Sequence, residues 1–177
     1  MTSEDTAPAG FTQPVGVVVD DDSGSSAVPA DIEETLGRLT GFLYARMHLD
    51  SAVELTVTLV DDARMEQLHL EWMDLPGPTD VLSLPMDELR PGTASAAVTA
   101  GMLGDVVISP EVARRQAAAA GHDVSDELAL LTVHGVLHLL GHDHVEAEER
   151  RTMFELQASL LEGFLGRAAP TPTVDDS

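Results

Sequence analysis

His134-Gly135-Val136-Leu137-His138-Leu139-Leu140-Gly141-His142-Asp143-His144 is the stretch on which the reading of this chain turns. It holds four of the seven histidines in 177 residues. His134 and His138 stand four apart, so on a helix they project from one face, about a turn from each other. Gly141 is the residue type best suited to end that helix in a left-handed conformation, and a reversal there turns His144 back toward the first two rings. Three neutral imidazoles with an open fourth position make a catalytic zinc site. One histidine on an apolar helix is ordinarily a hydrogen-bonded core residue. Two at helical spacing, a glycine stop and a third histidine argue instead for a metal, because burying three imidazoles without partners costs on the order of several kcal/mol.

Outward from this stretch the apolar periodicity places the other elements. Residues 126–140 are apolar nearly all round (Leu128, Leu130, Leu131, Val133, Val136, Leu137), which puts that helix in the middle of a domain, with Asp123 or Ser125 as its N-cap. Residues 103–109 read as a strand, and Pro110 suits the first turn of a helix through Ala120. A last helix covers 146–165 with Met153, Leu156, Leu160, Leu161 and Phe164 inward. Upstream, 15–19 is a short β-branched strand, 20–26 an acidic loop, and a helix from Pro29 turns Ile32, Leu36, Leu39, Phe42 and Leu43 inward. Residues 54–60 alternate as a half-buried strand, and Asp61 caps a helix over 63–73 with Met65, Leu68 and Trp72 inward. Residues 76–80 form a turn before a short strand at 81–84, and 86–100 reads as a mobile loop. Four strands and five helices in irregular order predict one α+β domain in which the histidine-bearing helix packs on a small mixed sheet. The domain is expected over 14–166, with residues 1–13 a disordered extension and 167–177 a disordered tail.

Composition narrows the chemistry. Hydrophobic residues make up 44% but aromatic ones only 3%, so the core is aliphatic. With no cysteine, disulfides and thiolate metal sites are excluded, and a metal has only histidine and carboxylate to bind. The net charge is −22 and all nine basic residues are arginine, which argues against DNA and against non-specific nucleic-acid binding through a basic face. The N-terminus lacks a basic start and apolar run, and no apolar stretch reaches the roughly 20 residues of a membrane span. The expectation is a cytoplasmic protein with no membrane partner.

The spacing His-x3-His-x2-Gly-x2-His matches the ligand spacing of metzincin-type proteases. Gly135, however, stands where those enzymes carry the glutamate that activates water, so peptide hydrolysis by that base is not expected. His142 reads as a solvent-facing loop residue. Asp143 is either a partner for the outer nitrogen of a ligand imidazole or a plain turn residue. Asp80 and Asp105, beside strand ends, are open between an assisting role and a structural one.

The whole stretch resembles the H-G-x-L-H-L-x-G-x-D-H signature of the YbeY family, the bacterial endoribonucleases of ribosomal RNA maturation. Pro78-Thr79-Asp80-Val81-Leu82-Ser83-Leu84-Pro85 is similar to that family's P-T-D-V-L-S-F-P, and Leu103-Gly104-Asp105-Val106-Val107-Ile108 to its L-G-D strand. In order and spacing the resemblance covers roughly Val15 to Gly166. It implies a zincin-like α+β core with zinc or another divalent ion held by His134, His138 and His144, which act in catalysis through the metal. It also implies cleavage of single-stranded RNA in 16S ribosomal RNA 3′-end maturation and ribosome quality control, with ribosomal RNA and small-subunit ribosomal proteins as partners. The chain departs from the family at Met73, which with Trp72 stands where many members carry a Tyr-Arg pair. Arg90 and Arg46 are the arginines that could stand in. Two rival readings keep the site but change its purpose. One is another zinc-dependent hydrolase, and the other a ribosome-assembly factor whose zinc is structural.

Overall fold

Strand β4 (Met102–Ile108) is the hub of the sheet in the computed structural model, which describes residues 10–143 and 145–172. It pairs parallel with β2 (Glu54–Leu59) and antiparallel with β3 (Val81–Pro85), and β2 pairs parallel with β1 (Val17–Asp21), giving the mixed order β1-β2-β4-β3. Parallel β1 and β2 require a crossover, supplied by helix α1 (Ile32–Arg46). The strands alternate as the pleat demands: Leu55, Val57 and Leu59 of β2 are buried while Thr56 and Thr58 are half-exposed.

One face of the sheet carries the main core. Helix α4 (Val124–Leu139) lies on β3 and β4, flanked by α1, α3 (Pro110–Ala120) and α5 (Ala147–Leu165). Leu128, Leu130, Leu131, Val133, Val136 and Leu137 are all buried, as the all-round apolar pattern predicted. The other face is covered only in part, by α2 (Asp62–Met73), whose Met65 and Leu68 pack with Val60, Leu82 and Val107. The structure is thus the single α+β domain expected, with four strands and five helices among the described residues.

Local chemistry sets the helix ends. Asp61 accepts from Arg64 N at 2.8 Å and starts α2. Ser109 accepts from Val112 N at 3.2 Å, with Pro110 in the first turn of α3. Asp123 is the N-cap residue of α4, although its side chain makes no cap bond.

Three expectations are corrected. β1 begins at Val17 rather than Val15, and it takes in Asp20 and Asp21, which pair with Thr58 and Leu59. An edge strand tolerates such charges because their side chains reach water. Trp72 is not inward but 58% exposed, because α2 has only a small second core to cover and buries Met65 and Leu68 alone. The 86–100 loop is tethered: Gly92 N donates to Met47 O and Val98 N to His48 O, both at 2.9 Å, while Leu89 packs on the core. Packing also continues past both expected domain borders. The Phe11 ring meets Phe42 edge-on at 5.3 Å, and Arg167 pairs with Asp126 at 2.8 Å. The rest of the expected extension and tail, 1–9 and 173–177, lies outside the described residues.

Candidate functional site

The site grows out of the C-terminal half of α4. Because this helix is buried on nearly every side, its few polar side chains must find partners inside the protein. His134 is 2% exposed and His138 half-buried, and their rings stand 4.7 Å apart at 75°, as the four-residue spacing dictates. Phe154 of α5 lies 6.0 Å from the His134 ring, with the Arg150 guanidinium 4.9 Å over its own ring.

The hydrogen bond that defines the site comes from α5. His134 Nδ1 donates to Gln157 Oε1 at 2.9 Å, and Gln157 is as buried as the histidine. An amide oxygen only accepts, so the ring proton sits on Nδ1 and the lone pair on Nε2. That is the protonation state a metal-binding imidazole needs. Gln157 was not singled out from sequence, although the signal was there: it is a polar residue in the buried row Met153, Gln157, Leu160, Leu161, Phe164.

After His138 the chain reverses as expected. Gly141 N donates to His138 O and His142 N to Leu137 O, each at 3.0 Å, with Gly141 at φ +98°. Residues with a side chain rarely adopt that backbone conformation. His144 lies outside the described residues, and among those described no group of three histidines or carboxylates forms a metal cluster. Two imidazoles on one helix face, one held in the metal-ready tautomer, nonetheless fit a divalent ion.

Gly135 has a steric cause of its own. A Cβ there would lie 2.7 Å from Val106 Cγ1 and 3.3 Å from Ser83 Oγ, and Ser83 Oγ donates to Gly135 O at 3.1 Å. Position 135 therefore faces the sheet at close approach, and no glutamate fits there without parting α4 from β3 and β4. The acids of α4 lie at its other end: Asp126 pairs with Arg167, and Glu127 meets His122 Nε2 at 2.6 Å.

Other candidates are sorted by the fold. Asp80 is buried, accepting from Val81 N at 2.7 Å and Gln116 Nε2 at 3.3 Å; burial raises its carboxyl pKa against the lowering effect of those bonds. It is a structural residue at the start of β3. Val106 touches Gly135, so its neighbour Asp105 points to the opposite face of the sheet. There Asp105 lines a groove of about 490 Å³ with Thr58, Arg64 and Trp72, away from the histidines. Met73 is 54% exposed, and Arg46 lies 4.7 Å over Phe42 in the main core. Asp143 is exposed on the turn and shares a hollow with His142, Glu148 and Glu149. Partial burial, and after it the Arg90 charge, hold the half-buried His142 imidazole below its ordinary pKa.

Among the described residues, no helix is long and apolar enough to cross a membrane. The family model described as Endoribonuclease YbeY matches residues 19–165. The endoribonuclease YbeY of Micrococcus luteus is 59% identical over 144 residues, 81% of this chain and 91% of that protein. That of Renibacterium salmoninarum is 53% identical over 159 residues, 90% of this chain and 99% of that protein. The solution structure of TM1509 from Thermotoga maritima shares the fold, with a TM-score of 0.56 at 22% identity over 85% of this chain and 89% of that one. A match running from β1 to the last residue of α5, with more than half the aligned residues identical in these two relatives, makes this chain a member of the YbeY family of endoribonucleases.

Proposed function

We propose that the chain is a zinc-dependent endoribonuclease that cuts single-stranded RNA, with His134, His138 and His144 holding the ion. The observation that carries this reading is the bond from His134 Nδ1 to the buried Gln157 Oε1, which puts the ring's lone pair on Nε2, the atom that would meet a metal shared with His138. The relatives' name supplies the reaction class. Its role is 3′-end maturation of 16S ribosomal RNA and ribosome quality control, with small-subunit ribosomal proteins as partners in the cytoplasm. The acidity of the chain favours assistance by such a partner, because a net charge of −22 repels free RNA.

His134, His138 and His144 would hold the ion, and the chemistry it would supply when bound is Lewis acidity toward a phosphoryl oxygen or water. The protein's own contribution is placement. Gln157 holds the His134 ring in one tautomer and one orientation, and the Phe154 ring flanks it. Ser83 fixes the helix to β3 through the Gly135 carbonyl. Gly135 contributes no carboxylate, and Asp126 and Glu127 are engaged at the far end of α4, so none of these positions provides a general base. On this reading Asp143, on the turn after α4, would orient a ligand imidazole through its carboxylate.

The test is metal analysis paired with cleavage of a defined single-stranded RNA and of casein, for the wild type and His138→Ala. The wild type is expected to hold about one zinc per chain and to cut the RNA but not casein, and the variant, folded by circular dichroism, to lose both zinc and cleavage. RNA cleavage retained without stoichiometric zinc sinks the metal mechanism. Zinc held with casein cut and RNA intact would make the chain another zinc hydrolase, and zinc held with neither cut would leave an assembly factor.

A further inference from the structure

The arginines of this chain are mostly engaged with its own residues. Arg114, Arg115, Arg151 and Arg167 pair with Glu111, Asp62, Glu148 and Asp126. Arg38, Arg46 and Arg150 lie over the rings of Phe164, Phe42 and Phe154, and Arg64 bonds Gln67. Arg90 differs. Its guanidinium lies against Gly141, so close that a Cβ at that position would stand 2.6 Å from Cζ and 2.7 Å from Nε. Its one hydrogen bond among the described residues is from Nη1 to Leu89 O at 3.0 Å, and it has no carboxylate partner among them. The side chain is exposed, and the bond to Leu89 O takes one of its five N–H donors.

The placement is built rather than incidental. Leu89 is packed on the core and Gly92 N is bonded to Met47 O at 2.9 Å, so Arg90 sits between two anchored points of the β3–β4 connection. Across from it, Gly141 offers a surface without a side chain on the turn that directly follows His138. In a chain of net charge −22, a guanidinium with no carboxylate partner among the described residues, held against the turn that follows His138, is where a polyanion would find its contact.

We propose that Arg90 is the phosphate-binding residue of the site, gripping an RNA phosphate beside the scissile one while the histidine cluster engages the latter. This rests on the endoribonuclease reading and adds to it the residue that positions the substrate. Arg90 therefore controls RNA affinity, and through it KM, more than it controls metal content.

The experiment uses the full-length, zinc-loaded protein and a short fluorescent 2′-O-methyl single-stranded RNA, its integrity checked on a gel after each titration. Affinity is followed by anisotropy over a series of salt concentrations for the wild type, Arg90→Ala, Arg90→Lys and Arg38→Ala. Arg90→Ala should weaken binding about tenfold and lower the slope of log K against log[salt] by about 0.7, the loss of one phosphate contact on a single strand. Arg90→Lys should restore the slope but not the full affinity, because a point charge replaces a two-pronged donor. Arg38→Ala should change neither. Zinc content should be the same in all four. Unchanged affinity and slope in Arg90→Ala, with wild-type cleavage intact, overturns this proposal and leaves the nuclease reading standing. A wild type that neither binds nor cuts single-stranded RNA overturns both.

Discussion

Replacing Gln157 by leucine removes the acceptor of His134 Nδ1 and puts an apolar side chain of similar size in a position that is 1% exposed. Two effects follow, and their sizes decide which assay to use. In the metal-free protein the His134 N–H loses its partner, a cost of about 1–3 kcal/mol. A buried leucine in place of the amide returns part of this, at most the value of burying a whole apolar side chain, about 1.5–3 kcal/mol, so the net change in unfolding free energy is small. Metal binding has no such offset. Without the acceptor the ring redistributes between tautomers and orientations, and loss of a partner of this kind weakens metal affinity about 10–100-fold, or roughly 1.4–2.8 kcal/mol. Zinc affinity is therefore the decisive measurement, made by competition with a chromophoric chelator, with urea unfolding of the metal-free protein as the control for folding. Gln157→Glu keeps an acceptor and should restore affinity to the wild-type level or above. A Gln157→Leu protein that folds and competes for zinc as well as the wild type refutes the idea that this bond prepares His134 for a metal.

Two further predictions concern the scaffold. Gly135→Ala should destabilise the protein by about 1–3 kcal/mol in urea unfolding despite alanine's better helix propensity, because the added Cβ meets the buried Val106 at 2.7 Å and parts α4 from the sheet; equal or greater stability would show that the close approach is not needed. Asp80 is mainly desolvated, so its folded pKa lies above the unfolded one and the native state binds more protons in the window between them. Stability due to this group is complete below the unfolded carboxylate pKa and is lost as pH rises through the folded one. Asp80→Asn removes that loss, so its stability relative to the wild type should improve from acid to neutral pH; a difference independent of pH would contradict the assignment.

Much of the fold is legible because the rules that carry it are local. The Pro110 start, the Asp61 cap, the glycine reversal after His138 and the all-round apolar α4 each follow from backbone or burial chemistry within a few residues. Trp72 misled for the same reason: periodicity shows that a helix has an apolar face, not how much core is available to cover it. The pairing of acidic Asp20 and Asp21 into β1 is likewise a matter of edge position, which only the assembled sheet reveals.

On its own, the sequence determined the histidine spacing, the absence of a protease glutamate and the family, because a helix repeat and a motif are properties of consecutive residues. Only the tertiary structure decided which residues surround those histidines. Gln157 reaches His134 across 23 positions of chain, Arg90 reaches Gly141 from a different connection altogether, and Asp105, one residue from Val106, is sent to the far side of the sheet by the pleat. Contacts between segments that fold together depend on how helices seat on the sheet, and that seating is settled by packing of the whole core rather than by any local pattern.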